Sequence, residues 1–351
     1  MRRLLVTLGV LLVPLLVAGA VFWNRSRETA ARFAEARGRV GTRGAAAALG
    51  QLARAHPGRA EAHVLVARQA RLEGRLDDAR AALDRAEESG WPADEIDRER
   101  LLVRAAADFS RARPDLEARL AAAPGDRDIL LALAAGLQKQ GAHGRATELT
   151  GRVLATHPGD PAALYLRGAA WQEGRRLDLA RADLEAAVAA GPSSLDYPRA
   201  RQALAICLLD LGDFHPAADL FRAALADDPG DVYALFGSGR AAGFLGQWVE
   251  AEAFYTAVLA RRPGHVETLL ALAQAHEQKG DAKAALADLE LAAKGEPNRL
   301  ETLFRLAKLL RVSGQSERAA DYEAKYRELQ GQLIKEAASV PPGEPIKEGF
   351  R

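Results

Sequence analysis

The chain of 351 residues is 48% hydrophobic and 27% charged, enough apolar material for a large globular body or an extended repeat array. Its 48 lysines and arginines nearly cancel 47 aspartates and glutamates, so no net field recruits nucleic acid or acidic substrates. The single cysteine, Cys207 in the apolar run ALAICLLDL, reads as a core residue and excludes an intramolecular disulfide and multi-cysteine metal sites.

The chain opens MRRLLVTLGVLLVPLLVAGAVFWNR, with Arg2 and Arg3 followed by an uncharged run from Leu4 to Trp23. Twenty helical residues span about 30 Å, the thickness of a bilayer hydrocarbon core. Leucine, valine and phenylalanine dominate the run and favour insertion by roughly 4–8 kcal/mol before glycine, proline and threonine offset part of it. Residues 1–25 are therefore expected to form an N-terminal membrane helix, with residues 4–23 in the bilayer and Trp23 at its interface. Ala18-Gly19-Ala20 has the small-x-small form of a signal cleavage site. Apolar residues continue past it through Val21 and Phe22, which favours an uncleaved anchor. The arginine- and alanine-rich composition suits a GC-rich bacterial genome, so the expected location is a bacterial inner membrane, single-pass, with a periplasmic body. Export after cleavage is one alternative. A cytoplasm-facing body is another, because Arg25, Arg27, Arg32 and Arg37 place positive charge beyond the helix.

From residue 26 onward a 34-residue rhythm appears. Pro124, Pro158 and Pro192 are evenly spaced by it, as are Pro229, Pro263 and Pro297. Between the prolines lie DILLALAAGLQKQGAHGRATELTGRVLATHP (128–158), VYALFGSGRAAGFLGQWVEAEAFYTAVLARRP (232–263) and VETLLALAQAHEQKGDAKAALADLELAAKGEP (266–297). Each reads as an apolar-periodic helix, a glycine, a second helix and a proline. With the proline numbered 32, position 8 is small in Ala67, Ala134, Gly168, Ala205, Gly239, Ala273 and Ala307. Position 20 is alanine in Ala79, Ala146, Ala180, Ala217, Ala251, Ala285 and Ala319. Gly141, Gly212, Gly246, Gly280 and Gly314 occupy position 15, where the first helix must end in a left-handed residue.

In chain order, residues 26–59 form a degenerate unit that keeps Ala45, Leu49 and Pro57 but carries Arg32 at a usually apolar position. Residues 60–90 match well. Residues 91–126 keep Ala112, Leu116 and Pro124, with the first helix out of register and Pro114 interrupting. Good matches then cover 127–160, 161–194, 198–231, 232–265, 266–299 and 300–333. The expected organisation is thus an N-terminal repeat region at 26–126, regular repeats at 127–333, and a helix extension with a disordered tail at 334–351. The segment GSGRAAGFLG (237–246) lies inside this pattern and has neither the spacing of a dinucleotide fingerprint nor the Gly-Lys-Ser/Thr of a phosphate loop. Gly239 and Gly246 serve positions 8 and 15. Gly237 and Gly243 are extra glycines that cost the helix about 1 kcal/mol each relative to alanine, so the repeat is expected to be locally soft.

This pattern resembles the tetratricopeptide repeat, a helix–turn–helix unit of 34 residues. The resemblance implies an all-α, right-handed superhelical solenoid whose inner face is lined by the first helix of each pair. It also implies that positions 2, 5, 9 and 12 point into a groove that binds a protein or peptide. Those positions supply Leu131 and Gln138, Tyr165 and Gln172, and Gln202. They continue with Tyr233, Phe236 and Arg240, then Leu270 and Gln274, and finally Phe304, Lys308 and Arg311, with Arg305 nearby. Phe236 and Arg240, one turn apart, are the leading anchors. A partner segment with apolar residues and an acidic end fits this lining. No unit pairs Lys at position 5 with Asn at position 9, so the carboxylate clamp of the chaperone-tail-binding members does not carry over.

Catalytic chemistry finds no constellation. His276-Glu277 begins like a zinc-protease helix, but Gly280 stands where the second histidine belongs. Asp77-Asp78 and Asp227-Asp228 fall at helix ends, where capping explains them. No enzyme activity, metal, cofactor or nucleic-acid partner is expected. The expected function is a membrane-tethered scaffold in assembly of a cell-envelope or secretion complex, with an adaptor in polysaccharide synthesis or export as the alternative.

Overall fold

The computed structural model describes residues 26–339. The expected membrane segment and the tail beyond 339 lie outside them, and no described helix is long and apolar enough to cross a membrane. The described residues form nine helix pairs with no named strand. The pairs are α1 (26–39) with α2 (Ala45–Ala55), α3 (Ala60–Leu72) with α4 (Leu76–Glu88), and α5 (Ala93–Ala107) with α6 (Phe109–Ala122). They continue with α7 (Arg127–Lys139) and α8 (His143–Thr156), α9 (Pro161–Glu173) and α10 (Leu177–Ala189), and α11 (Tyr197–Leu211) and α12 (Phe214–Asp227). The last are α13 (Val232–Phe244) with α14 (Trp248–Arg261), α15 (Val266–Gln278) with α16 (Ala282–Gly295), and α17 (Leu300–Val312) with α18 (Ser316–Ser339).

The chain divides into two compact units, one ending at Ala200 and one beginning at Arg201. In the first, consecutive helices from α2 to α10 pack on one another; in the second, consecutive helices from α12 to α18 do the same. First helices also touch first helices, α3 on α5, α5 on α7 and α7 on α9, and in the second unit α13 on α15. First helices therefore form a common layer within each unit.

Small residues set the close approach within pairs. All seven position-20 alanines are fully buried, and so are Ala134, Ala205 and Ala273 at position 8. Position 24 fills the space they leave. A Cβ on Gly168 would lie 2.7 Å from Leu184, and one on Gly239 would lie 2.4 Å from the Tyr255 ring. The expectation that Gly237 merely softens its helix is corrected here. A Cβ on Gly237 would lie 2.3 Å from the ring of Phe221 on α12, so the glycine admits an aromatic from the preceding helix. At Gly243 the nearest atom, on Trp248, is 3.4 Å away, which an alanine tolerates.

Turn chemistry follows position 15. Gly246 adopts φ +75°, its N–H donates to the Gly243 carbonyl at 3.0 Å, and the Gln247 N–H reaches the Ala242 carbonyl at 2.9 Å. These two bonds make a Schellman end that satisfies the last carbonyls of α13. In the fifth pair Arg175 takes the same left-handed place at φ 58°. The degenerate third pair departs from the pattern: α5 runs to Ala107 and only Asp108 separates it from α6. Asp108 caps α6 through the Arg111 N–H, and Pro114 falls inside this second helix instead of interrupting the first.

The first unit has a clasp with no counterpart in the repeat pattern. Arg43 N–H donates to the Ser193 carbonyl at 2.7 Å, and Leu195 N–H donates to Gly41 at 3.0 Å. Buried Gln69 on α3 holds the same turn, accepting from Gly41 N–H at 2.9 Å and donating to the Thr42 carbonyl at 3.0 Å.

Candidate partner-binding surface

The first helices of the second unit carry an open face rich in aromatic and cationic groups. On α13, Tyr233 is 60% exposed, with the Arg262 guanidinium 5.6 Å from its ring centre. Arg240, two turns further on, is half-buried, stands 3.9 Å from Asp210 and lies 6.0 Å from the Phe244 ring. Phe244 is 55% exposed and stacks on Phe214 with ring centres 4.7 Å apart. Beside this pair, Gln247, Trp248, Val249, Ala253 and Lys279 line a cleft of about 560 Å³.

Phe236 is only half open. Its ring lies 5.9 Å from both Tyr255 and His265, so it supports the face from beneath. Burial pushes the Tyr255 phenol up to about 12, with Arg240 opposing, so the hydroxyl stays protonated under ordinary conditions. Gln274 on α15 and Lys308 on α17 are exposed at the same repeat position as Arg240. Arg240, Gln274 and Lys308 thus repeat every 34 residues with two positive charges among them. Arg311 is exposed and paired with Glu323 on α18.

Leu270 is not part of this surface. It is buried, and Arg305 from α17 lies across it, donating to the Leu270 carbonyl at 3.0 Å and to Glu277 at 2.7 Å. Position 5 is buried or half-buried at Leu131, Tyr165, Gln202, Phe236 and Leu270, each followed by another first helix. Phe304 occupies the same position on α17, the last first helix described, and is 54% exposed against Tyr326. Gln202 is half-buried on α11. In the first unit, Leu131 and Tyr165 pack against the α5–α9 core as partly buried residues, and burial raises the Tyr165 phenol.

The inner layer of that first unit is a ladder of ion pairs that the spacing of residues did not reveal. Arg68 on α3 donates to Glu99 on α5 at 2.7 Å, and Arg98 donates to the same oxygen at 2.8 Å. Arg98 also grips both oxygens of Asp126 at 2.6 Å and reaches Asp128 on α7 at 3.2 Å. Arg127 joins Asp128 at 2.9 Å and continues to Asp160. Asp126 and Asp160 are also the N-caps of α7 and α9, so each aspartate starts one helix and ties it to the preceding pair.

His276 does not resemble a metal ligand set. Its Nδ1 lies 2.7 Å from Asp288 and its Nε2 lies 3.5 Å from Glu252, which Lys279 also holds. Burial raises the Asp288 carboxyl despite the histidine. Among the described residues no cluster of histidine, cysteine and carboxylates could hold a metal ion.

With this geometry in place, comparison with known proteins is decisive on family. The model of the tetratricopeptide repeat matches residues 30–94, 136–194, 203–266 and 236–299, more than half of the chain. The chain belongs to the tetratricopeptide repeat family. Among solved structures it is similar to PilW, a widely conserved type IV pilus biogenesis factor, at 22% identity and a TM-score of 0.54, over 59% of this chain and 98% of that one. It is also similar to YrrB, described as having an unusual peptide-binding site, at 20% identity and a TM-score of 0.45, over 54% and 96%. MamA from Desulfovibrio magneticus RS-1 follows at 20% identity and 0.44, over 49% and 97%. The likeness to PilW shows the shared helical-repeat fold. No curated protein matches the chain.

Proposed function

We propose that this tetratricopeptide array is a membrane-tethered, non-catalytic scaffold that holds a protein segment on the open face of its second unit. The observation that carries this reading is the combination of Tyr233, Arg240 and Phe244 on α13 with the cation-bearing series Arg240, Gln274 and Lys308. Exposed aromatics beside arginine supply contact area at low entropy cost, the usual makeup of an interface anchor. The positive series favours a partner with apolar residues and an acidic end. The apolar run at 4–23 would tether the body to a bacterial inner membrane, with the repeats on the periplasmic side. Assembly of an envelope, secretion or pilus machine is the process this arrangement suits, and the role of PilW as a type IV pilus biogenesis factor is compatible with it.

The test is cross-linking and affinity recovery from membranes with the full chain, comparing wild type with Phe236→Ala/Arg240→Ala. Recovery of the principal partner is expected to fall about tenfold or more, because loss of the Arg240 anchor and of the Phe236 ring that supports the face, at ~1–2 kcal/mol each, weakens the complex by that factor. Unchanged recovery removes the face from the account.

A further inference from the structure

Three departures from the 34-residue pattern meet at one place in the first unit. Every other second helix begins at position 17, but α2 begins at Ala45, position 20, so residues 41–44 run where a first helical turn would stand. Position 10 is apolar or glycine in every later unit, from Leu102 to Leu309, yet α3 carries buried Gln69 there. Pro229 follows Pro192 by three residues more than the repeat length, and the added residues fall between α10 and α11.

Each departure supplies a part of the clasp. The missing turn of α2 frees Gly41, Thr42 and Arg43, and the longer link brings Ser193, Ser194 and Leu195 against them. Gln69 is the seat. Its Oε1 accepts from Gly41 N–H, and its Nε2 donates to the Thr42 carbonyl and to Glu73 at 2.7 Å. An apolar residue at this position would leave the Gly41 N–H and the Thr42 carbonyl without those partners.

Consecutive pairs already pack from the first to the fifth, so the clasp closes their chain of contacts on itself. Charged groups two pairs apart then act on one another across the inner layer. Arg71 on α3 does so with Asp128 on α7, and Arg127 on α7 with Asp196 ahead of α11. The Nε of Arg71 is sealed from solvent there. Across the clasp itself the two segments are joined by two backbone hydrogen bonds, a contact that opens far more readily than packed helices separate.

We propose that residues 41–43, residues 193–195 and Gln69 form a reversible latch whose opening and closing govern access to the charged inner layer of the first unit. Closed, the latch holds α3, α5, α7 and α9 curled about their side chains; open, it lets the pairs splay. The device lies within the first unit and stands independently of the face assigned to the partner in the second.

The test is a disulfide across the latch. Thr42 and Ser194 are the non-hydrogen-bonded pair of an antiparallel bridge, where Cα atoms stand about 4.5 Å apart, a spacing that a disulfide spans. Thr42→Cys/Ser194→Cys is made in the full chain together with Cys207→Ala, alanine being the residue at position 10 in several other units. The protein is compared in detergent micelles, reduced and after oxidation by glutathione disulfide. Access is read by mass spectrometry as the rate at which phenylglyoxal modifies Arg71. Arg305, shielded in the second unit, reports any general loosening. The disulfide is expected to form, and to slow modification of Arg71 at least fivefold while Arg305 keeps its rate. Gln69→Ala, which removes the seat, should speed modification of Arg71 about fivefold or more, and the disulfide should cancel that gain. Should Gln69→Ala not fold, the reduced and oxidised forms of the cysteine pair decide alone. A disulfide that does not form sets the two segments apart and overturns the inference. So does an Arg71 rate that is the same with the disulfide open or closed, or an acceleration in Gln69→Ala that Arg305 shares.

Discussion

The two units use the same helical pair for opposite ends. In the first, the inner layer is stitched by Arg68, Glu99, Arg98, Asp126, Asp128, Arg127 and Asp160, and polar side chains there are occupied with one another. In the second, the first helices leave Tyr233, Phe244, Gln274 and Lys308 exposed. The difference teaches that a repeat's groove positions carry no fixed role. When arginines and N-cap aspartates of successive pairs meet, the layer is structural; when they do not, the same positions stay available to a partner.

The strongest way to break this comparison is to remove the ladder's centre. Glu99 is 1% exposed and serves two arginines, so Glu99→Ala leaves Arg68 without its partner and strips one from Arg98. A loss of about 3–5 kcal/mol is expected, read as a large fall in the melting temperature of the first unit by circular dichroism. A loss below about 1 kcal/mol, the value of a surface pair, would make the ladder incidental. Ala251→Leu probes the second unit instead. Ala251 is fully buried where α14 crosses α13, so overpacking should cost about 1–3 kcal/mol. Unchanged melting would mean that the crossing is wrongly placed.

A smaller effect sharpens the contrast through pH. Burial alone would raise the carboxyls of Asp126 and Asp128, but arginine contacts outweigh it and hold both below the ordinary range. Groups depressed in the folded state contribute stability that is present above their unfolded pKa, about 4, and lost as pH falls through the folded value. Asp196, raised by burial, works in the opposite sense and offsets part of this. The first unit should therefore lose melting temperature between about pH 5 and pH 3. Asp126→Asn, which keeps an N-cap acceptor, should flatten that slope. A slope unaltered by the substitution would detach the ladder from acid sensitivity.

Much of the fold was legible because its causes are local. Alanine at positions 8 and 20, a left-handed glycine at 15 and proline at 32 answer to steric demands that recur within each 34 residues. The ladder was hidden because Arg98 and Asp126 look like solvated surface until consecutive pairs stack. The reason for Gly237 was hidden likewise, since it lies in Phe221 on another helix. Leu270 was misplaced for the same cause: Arg305 of the following unit covers it. The side chains that face the open surface depend on what the next helix covers, and periodicity alone does not carry that information.

The central claim is that the first-helix face of the second unit holds the partner. Photo-cross-linking in intact cells tests it most directly, with p-benzoylphenylalanine placed at Tyr233 or Phe304 and, for comparison, at the exposed second-helix residues Thr256 or Ala287. The account predicts a discrete adduct from Tyr233 and Phe304 and little from Thr256 and Ala287. Equal adducts from both sets, or adducts from Thr256 and Ala287 alone, would contradict it.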